Sequence, residues 1–226
     1  MQKSNKPLVI GIGGCARSGK DTFASILTNQ LKAAGKSVEK FAFADTLKQD
    51  CDEFCKSHLG VSAFTSITEE KNLIRPMLVW FGDAKRKQTE GRYWVDIIDK
   101  KVKASKADFC LITDVRYDFY PVDEIDWVKK ECDGLVCHVS RWTKEPLWAE
   151  VAIPPETEVK RYLVKTTAKF IPPANDHEAL NDPKVKAKAD FVVEWESVEG
   201  KTMDELVLDA SLNAHVDEFM AKFNIS

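Results

Sequence analysis

Three features of the 226-residue chain predict an α/β domain built on a mainly parallel sheet. Short apolar runs alternate with amphipathic stretches of helical period along the chain, the pattern of strands joined by crossover helices. A buried-strand run from Pro7 to Gly13 meets the turn pair Gly13-Gly14 and then a helical pattern, which is one complete strand–loop–helix unit. Hydrophobic residues make up 44% and charged residues 31%, values of an ordinary globular chain long enough for one core. A single domain over residues 1–226 is therefore expected.

The elements follow in order. After the first strand a helix begins near Lys20, with Phe23, Ile26, Leu27, Leu31 and Ala34 at helical spacing and Gly35 as its stop. Ser37 to Phe43 reads as a second strand. Three helical stretches come next, about Thr46–Leu59, Arg75–Gln88 with Pro76 near its start, and Tyr93–Ala104. Asp108–Thr113 is the third strand, Val122–Cys132 a helix, and Leu135–Val139 the fourth strand. From Trp142 to Pro183 the periodicity breaks down among prolines 146, 154, 155, 172, 173 and 183, which predicts a loop, a lid or a small inserted unit. Phe191–Trp195 is the fifth strand, and the last helix starts at Thr202 with Glu205 in capping-box register.

The balance of charge limits the partners. A net charge of −3 argues against a broad nucleic-acid or membrane surface, so an anionic ligand has to be met locally. The longest run without Asp, Glu, Lys or Arg, Ser57 to Thr68, is well short of the roughly 18 residues of a membrane span. No secretory signal is evident, which points to the cytoplasm. There, the six cysteines stay reduced, and their spacing suits packing better than a zinc site.

The chemistry-bearing signal is Gly14-Cys15-Ala16-Arg17-Ser18-Gly19-Lys20, followed by Asp21 and Thr22. Four residues separate the glycines and Gly-Lys closes the string, as Walker A requires. Such a loop wraps phosphate oxygens with its amides and a helix N-terminus while the lysine reaches the outer phosphates. Asp21 stands where the standard motif has a magnesium-binding hydroxyl. The metal is then expected to be held largely through water near Asp21, with Thr22 on phosphate.

A nucleotide loop serves kinases, switches and motors alike. The guanine-reading Asn-Lys-X-Asp string is absent, and Asp114, at the end of the third strand, lacks the adjacent Glu of a hydrolytic ATPase. Arg116, two residues on, suits an anion-holding acceptor site.

The chain resembles the deoxynucleoside monophosphate kinases of tailed bacteriophages, in the loop Ala16–Thr22, Phe43–Lys48, Arg75 with Gly82, Tyr93–Val95, Asp114–Arg116 and His138–Arg141. The resemblance implies a P-loop kinase-like three-layer fold. Its parts would be a five-stranded parallel sheet, helices on both faces, a helical acceptor-binding excursion (46–105) and an inserted lid (142–175). It further implies ATP as donor with Mg2+, held by Gly14, Arg17, Ser18, Gly19, Lys20, Asp21 and Thr22. Arg75 and Arg116 would hold the acceptor phosphate, Asp114 would orient it, and Asp45, Arg86 and Trp94 would contribute to the acceptor site, Trp94 by stacking. Arg141 and Arg161 would close with the lid. The cytoplasm in question would be a host cell's. Another small-molecule kinase of the dephospho-coenzyme A or phosphomevalonate type, or a nucleotide-binding regulatory module, remains an alternative. Base preference, sugar selectivity and the choice between monomer and homodimer stay open.

Overall fold

Leu8–Gly13 (β1) has five of its six residues buried, as expected of a strand in the middle of a sheet covered on both faces. The structure, a computed structural model, describes residues 6–153 and 158–225, the side chains of 149–153 and 158–164 excepted. After β1 come α1 (Lys20–Ala33), β2 (Val38–Phe41) and α2 (Phe43–Phe54), which runs on into a wider π-helical turn, Cys55–Leu59. Then follow α3 (Thr68–Gln88), α4 (Arg92–Ala104), β3 (Phe109–Val115) and α5 (Glu124–Asp126), the last continued by a π-helical turn, Trp127–Glu131. The chain closes with β4 (Leu135–Ile153), β5 (Glu158–Phe170), α6 (Asp176–Lys188), β6 (Phe191–Glu196), α7 (Met203–Val207) and α8 (Ala210–Lys222).

The result is an α/β fold with a mostly parallel six-stranded sheet. β2, β3, β1, β4 and β6 lie side by side in parallel, with Ile10 opposite Leu111 on one neighbour and Leu135 on the other. Phe23, Leu27 and Leu31 of α1 pack with Phe191, Trp195 and Phe219 on one face. Trp94, Val95, Ile98 and Trp127 pack with Ile112 and Val136 on the other. Each such side chain taken out of water stabilises the fold by roughly 1.5–3 kcal/mol. The chain turns from β1 out to β2, returns through β3, and crosses to β4 on the far side of β1. The carboxyl end of β1 is thus the place where strand order reverses, the usual ligand crevice of an open α/β sheet.

Three expectations need correction. Of the alternatives expected for Trp142–Pro183, the loop is overturned and its first part is an inserted unit: β4 continues to Ile153 and pairs antiparallel with β5, from Trp142 opposite Phe170 to Ile153 opposite Glu158. This hairpin supplies the sixth strand. Pro146 conceals the strand in the sequence, yet its partner, Thr166, lies in a two-stranded ribbon, where one missing N–H is tolerated. The second correction is α6, hidden because Pro183 lies inside it; Asn175 nevertheless caps the helix by accepting from the Glu178 amide at 3.0 Å. The third concerns ends. α3 begins at Thr68 and carries Pro76 within it. The carbonyl that loses its helical partner, four residues earlier, belongs to exposed Asn72. The helix expected over Val122–Cys132 starts only at Glu124, where Asp123 caps it. The final helix is split, because Asp209 accepts from the amides of Ser211 and Leu212 and so starts α8 afresh; the capping box of Thr202 and Glu205 is present on α7.

Candidate functional site

The loop between β1 and α1 is shaped by residues in the left-handed region. Gly14 has φ 135°, and a Cβ there would lie 2.2 Å from the Val139 carbonyl oxygen and 2.7 Å from Ser18 Oγ. Gly19 has φ 95°, and its Cβ would strike the Trp195 ring at 2.5 Å. Only glycine fits either place. Arg17 is also left-handed at φ 63°, so the loop coils tightly and leaves this arginine exposed, without an ion pair among the described residues. Trp195 Nε1 donates to the Ser18 carbonyl at 2.9 Å and pins the loop to β6. Ser18 Oγ is buried without a hydrogen-bond partner among the described residues, and no side chain caps α1. An orphan hydroxyl and an uncapped helix start behind a tightly coiled glycine loop are features of an oxyanion cradle.

Lys20 is buried, and Nζ donates to the Cys15 carbonyl at 3.0 Å. Burial, and then the charge of Arg116, hold its pKa below the usual lysine value, while Asp21, Glu178 and Asp114 pull the other way. Asp21 is exposed on the first turn of α1. Thr22 is buried, its hydroxyl 3.7 Å from Met203 Sδ, so it faces α7 in this state. No cluster of three His, Cys, Asp or Glu suited to a metal is found among the described residues. A single carboxylate at Asp21 fits a magnesium ion carried on phosphate oxygens and water. Arg141 sits beside Gly19 and Thr22, with Nε buried and without a hydrogen-bond partner among the described residues. Arg161 pairs through its backbone with Glu150 in the hairpin; its side chain lies outside the described residues.

Arg75 and Arg116 line one open cleft of about 460 Å3 together with Tyr117, His177 and Glu178. A narrower cavity of about 250 Å3 adjoins it through Val79, Arg116 and Tyr117, walled by Leu47, Leu78 and Trp94 and bearing Lys48 and Asp83. A basic cleft thus opens into an apolar pocket at the carboxyl end of the sheet.

Four expected site residues stand otherwise than the sequence implies. Asp114 makes no ion pair with Arg116; its oxygens accept from the amides of Phe43 and Ala44, both at 2.8 Å, and so cap α2. Burial raises its pKa, and the two N–H groups oppose the rise. It fixes the start of α2 against the end of β3. Trp94 is only 2% exposed and meets Phe81 and Tyr93 edge to face, while Nε1 donates to the Gly82 carbonyl at 3.2 Å. It is a wall of the pocket, and no face is free for stacking. Arg86 is buried and paired with Asp123 at 2.8 Å and with Glu124, and Tyr117 lies 3.6 Å from its guanidinium carbon. Its donors serve the fold. Asp45 is exposed on α2, 3.4 Å from Lys48. It is not among the residues lining either cavity.

Sequence reasoning missed Glu178, Tyr117 and Trp195. Glu178 Oε1 accepts from Arg116 Nη1 at 3.0 Å and Oε2 from the Ala174 amide at 2.9 Å, while the Ala16 amide reaches both oxygens at 3.1 and 3.2 Å. The spacing of Asn175 and Glu178 is itself a helix-start signal, legible had the prolines around it not suggested a loop.

No family model and no curated protein sequence matches the chain. Among solved structures it is similar to the crystal structure of APE1195, at 13% identity and a TM-score of 0.33, over 95% of this chain and 97% of that one. It is also similar to TT1252 from Thermus thermophilus, at 15% identity and a TM-score of 0.35, over 94% of this chain and 98% of that one. Likenesses this faint carry no argument about activity. No helix among the described residues is long and apolar enough to cross a membrane.

Proposed function

We propose that the chain is a P-loop kinase that moves the γ-phosphoryl group of ATP onto a deoxynucleoside monophosphate. The observation that carries this reading is the union of a glycine-and-lysine oxyanion cradle with a cleft holding Arg75 and Arg116 and opening into an apolar pocket. The loop amides, Ser18 and Lys20 hold the donor phosphates, and Arg141 lies on the donor side beside Gly19. Asp21 would hold, through water, a Mg2+ bound with ATP, and the ion would supply charge neutralisation at the phosphates. Arg116 and Arg75 hold the acceptor phosphate, and the pocket behind Tyr117 takes the base between Leu47, Leu78 and Val79. In this reading the helices α2 to α4 are the acceptor side and the β4–β5 hairpin is the lid.

Little covalent assistance is needed. The acceptor phosphate is ionised near neutral pH, so one of its oxygens attacks the γ-phosphorus, the bond to the β-phosphate oxygen breaks, and ADP leaves. Catalysis is then positioning and charge neutralisation.

The deciding experiment is ADP release from ATP with each common nucleoside and deoxynucleoside monophosphate as acceptor. Turnover with deoxynucleoside monophosphates is expected, and Lys20→Ala should lower it about a hundred- to a thousand-fold in a protein that remains folded. Turnover only with another phosphorylated metabolite would move the chain to a different kinase class. ATP binding with no acceptor-dependent turnover would make it a regulatory module.

A further inference from the structure

Glu178 is the best-satisfied carboxylate at the site and the one whose position is hardest to reconcile with a bound nucleotide. It is 8% exposed. Its two oxygens receive the amide of Ala16, within the glycine loop, the guanidinium of Arg116, across the cleft, and the amide of Ala174, just before its own helix. Helix capping would require only the contact near its own helix. The other two reach the very groups that an oxyanion at this site would use, and their lengths of 3.0–3.2 Å fall at the long end of ordinary N–H···O hydrogen bonds.

Resting on the reading of the loop as a phosphate site, we infer that the Glu178 carboxylate is an internal stand-in for phosphate, holding Arg116 and the Ala16 amide until the nucleotide displaces it. A phosphate and a carboxylate cannot share these donors without strong like-charge repulsion in a half-buried cleft. ATP therefore binds only after α6 has given way at its first turn. The same turn carries His177, whose Nε2 lies 3.4 Å from Asp83 Oδ2 on α3, so its release also frees the acceptor-side helix. Upstream, residues 171–175 join this turn to β5, and two consecutive prolines, Pro172 and Pro173, stiffen the link. Displacement of one carboxylate is thus coupled to the acceptor pocket on one side and to the hairpin on the other. Apparent ATP affinity is lowered by the fraction of molecules in which Glu178 holds the site.

The test is Glu178→Gln, which keeps an acceptor oxygen for the Ala174 amide and removes the charge. Titration with ATP should give a dissociation constant about ten-fold lower than that of the unaltered protein, as expected when a hydrogen-bonded charge no longer competes. In the unaltered protein, amide exchange at Ala174 should quicken when ATP is added, because its acceptor leaves. Equal or weaker ATP binding by the folded variant would overturn the inference. So would an Ala174 amide that ATP leaves unchanged or better protected, a measurement that decides the matter even if the variant does not fold. Failure of the unaltered protein to bind ATP would remove the reading of the loop and the inference together, whereas equal binding by both proteins removes the inference alone.

Discussion

Replacing Arg86 with methionine tests whether this arginine holds the fold or the acceptor. The side chain is 7% exposed, and its partners Asp123 and Glu124 are 0% and 1% exposed, so Arg86→Met leaves two carboxylates stranded out of water. Breaking a buried pair in this way costs about 3–5 kcal/mol. For a chain of this size that lowers the melting temperature by roughly 6–20 °C. The loss should depend on pH. In the unaltered protein burial pushes the Glu124 carboxyl from its ordinary 4.5 up to about 7, against the pull of Arg86. A folded value above the unfolded one means that this group's contribution to stability is complete below about 4.5 and is lost as pH rises through about 7. Without Arg86 that opposing pull vanishes and the carboxyl rises further. The variant should therefore be closest to the unaltered protein at pH 6 and furthest from it at pH 8, as followed by thermal and urea unfolding. Adding Asp123→Asn and Glu124→Gln, which removes the stranded charges and keeps acceptors for the nearby amides, should restore at least half of the loss. A variant of near-normal stability at pH 8 whose defect is confined to acceptor saturation would refute the assignment.

Arg116→Lys should raise the Michaelis constant for the acceptor about ten-fold, because the fork that spans the cleft is lost while the charge remains. Melting temperature should change little, since the pair with Glu178 is 39% exposed on the arginine side and such pairs contribute little to stability; a parallel fall in stability would make Arg116 a structural residue. The six cysteines are free and buried, and burial pushes Cys15 up to about 12 and Cys51 and Cys132 up to about 11. The native protein should therefore leave Ellman's reagent uncoloured at pH 8 and react fully only when unfolded, and rapid labelling of Cys15 in the native state would contradict the packing of the loop.

The alternation of apolar strands with amphipathic helices, the two glycines of the loop, Lys20 and the capping box at Thr202 are all legible in the sequence, because each rests on a local rule of period, backbone conformation or spacing. The parallel strands of the core were readable for the same reason, through their continuous apolar runs such as Leu8–Ile12 and Phe109–Ile112. Tertiary structure alone decided what those local rules do not reach. Pro146 and Pro183 argue against β4 and α6 by propensity, and long-range pairing with β5 and packing against β1 and β4 overrule them. Arg75 and Arg116, 41 positions apart in the sequence, share a cleft only through the tertiary packing that carries α3 to the site. Arg86, Asp114 and Trp94 carry side chains suited to a ligand, and burial assigned them instead to an ion pair, a helix cap and a core wall. Glu178 reached the glycine loop from 162 residues away through the fold, and no spacing rule could bring the two together. The sequence by itself determines which residues have the chemistry to hold a phosphate; the fold determines which of them keep a donor free to do so, because a charged group taken out of water must first be paired.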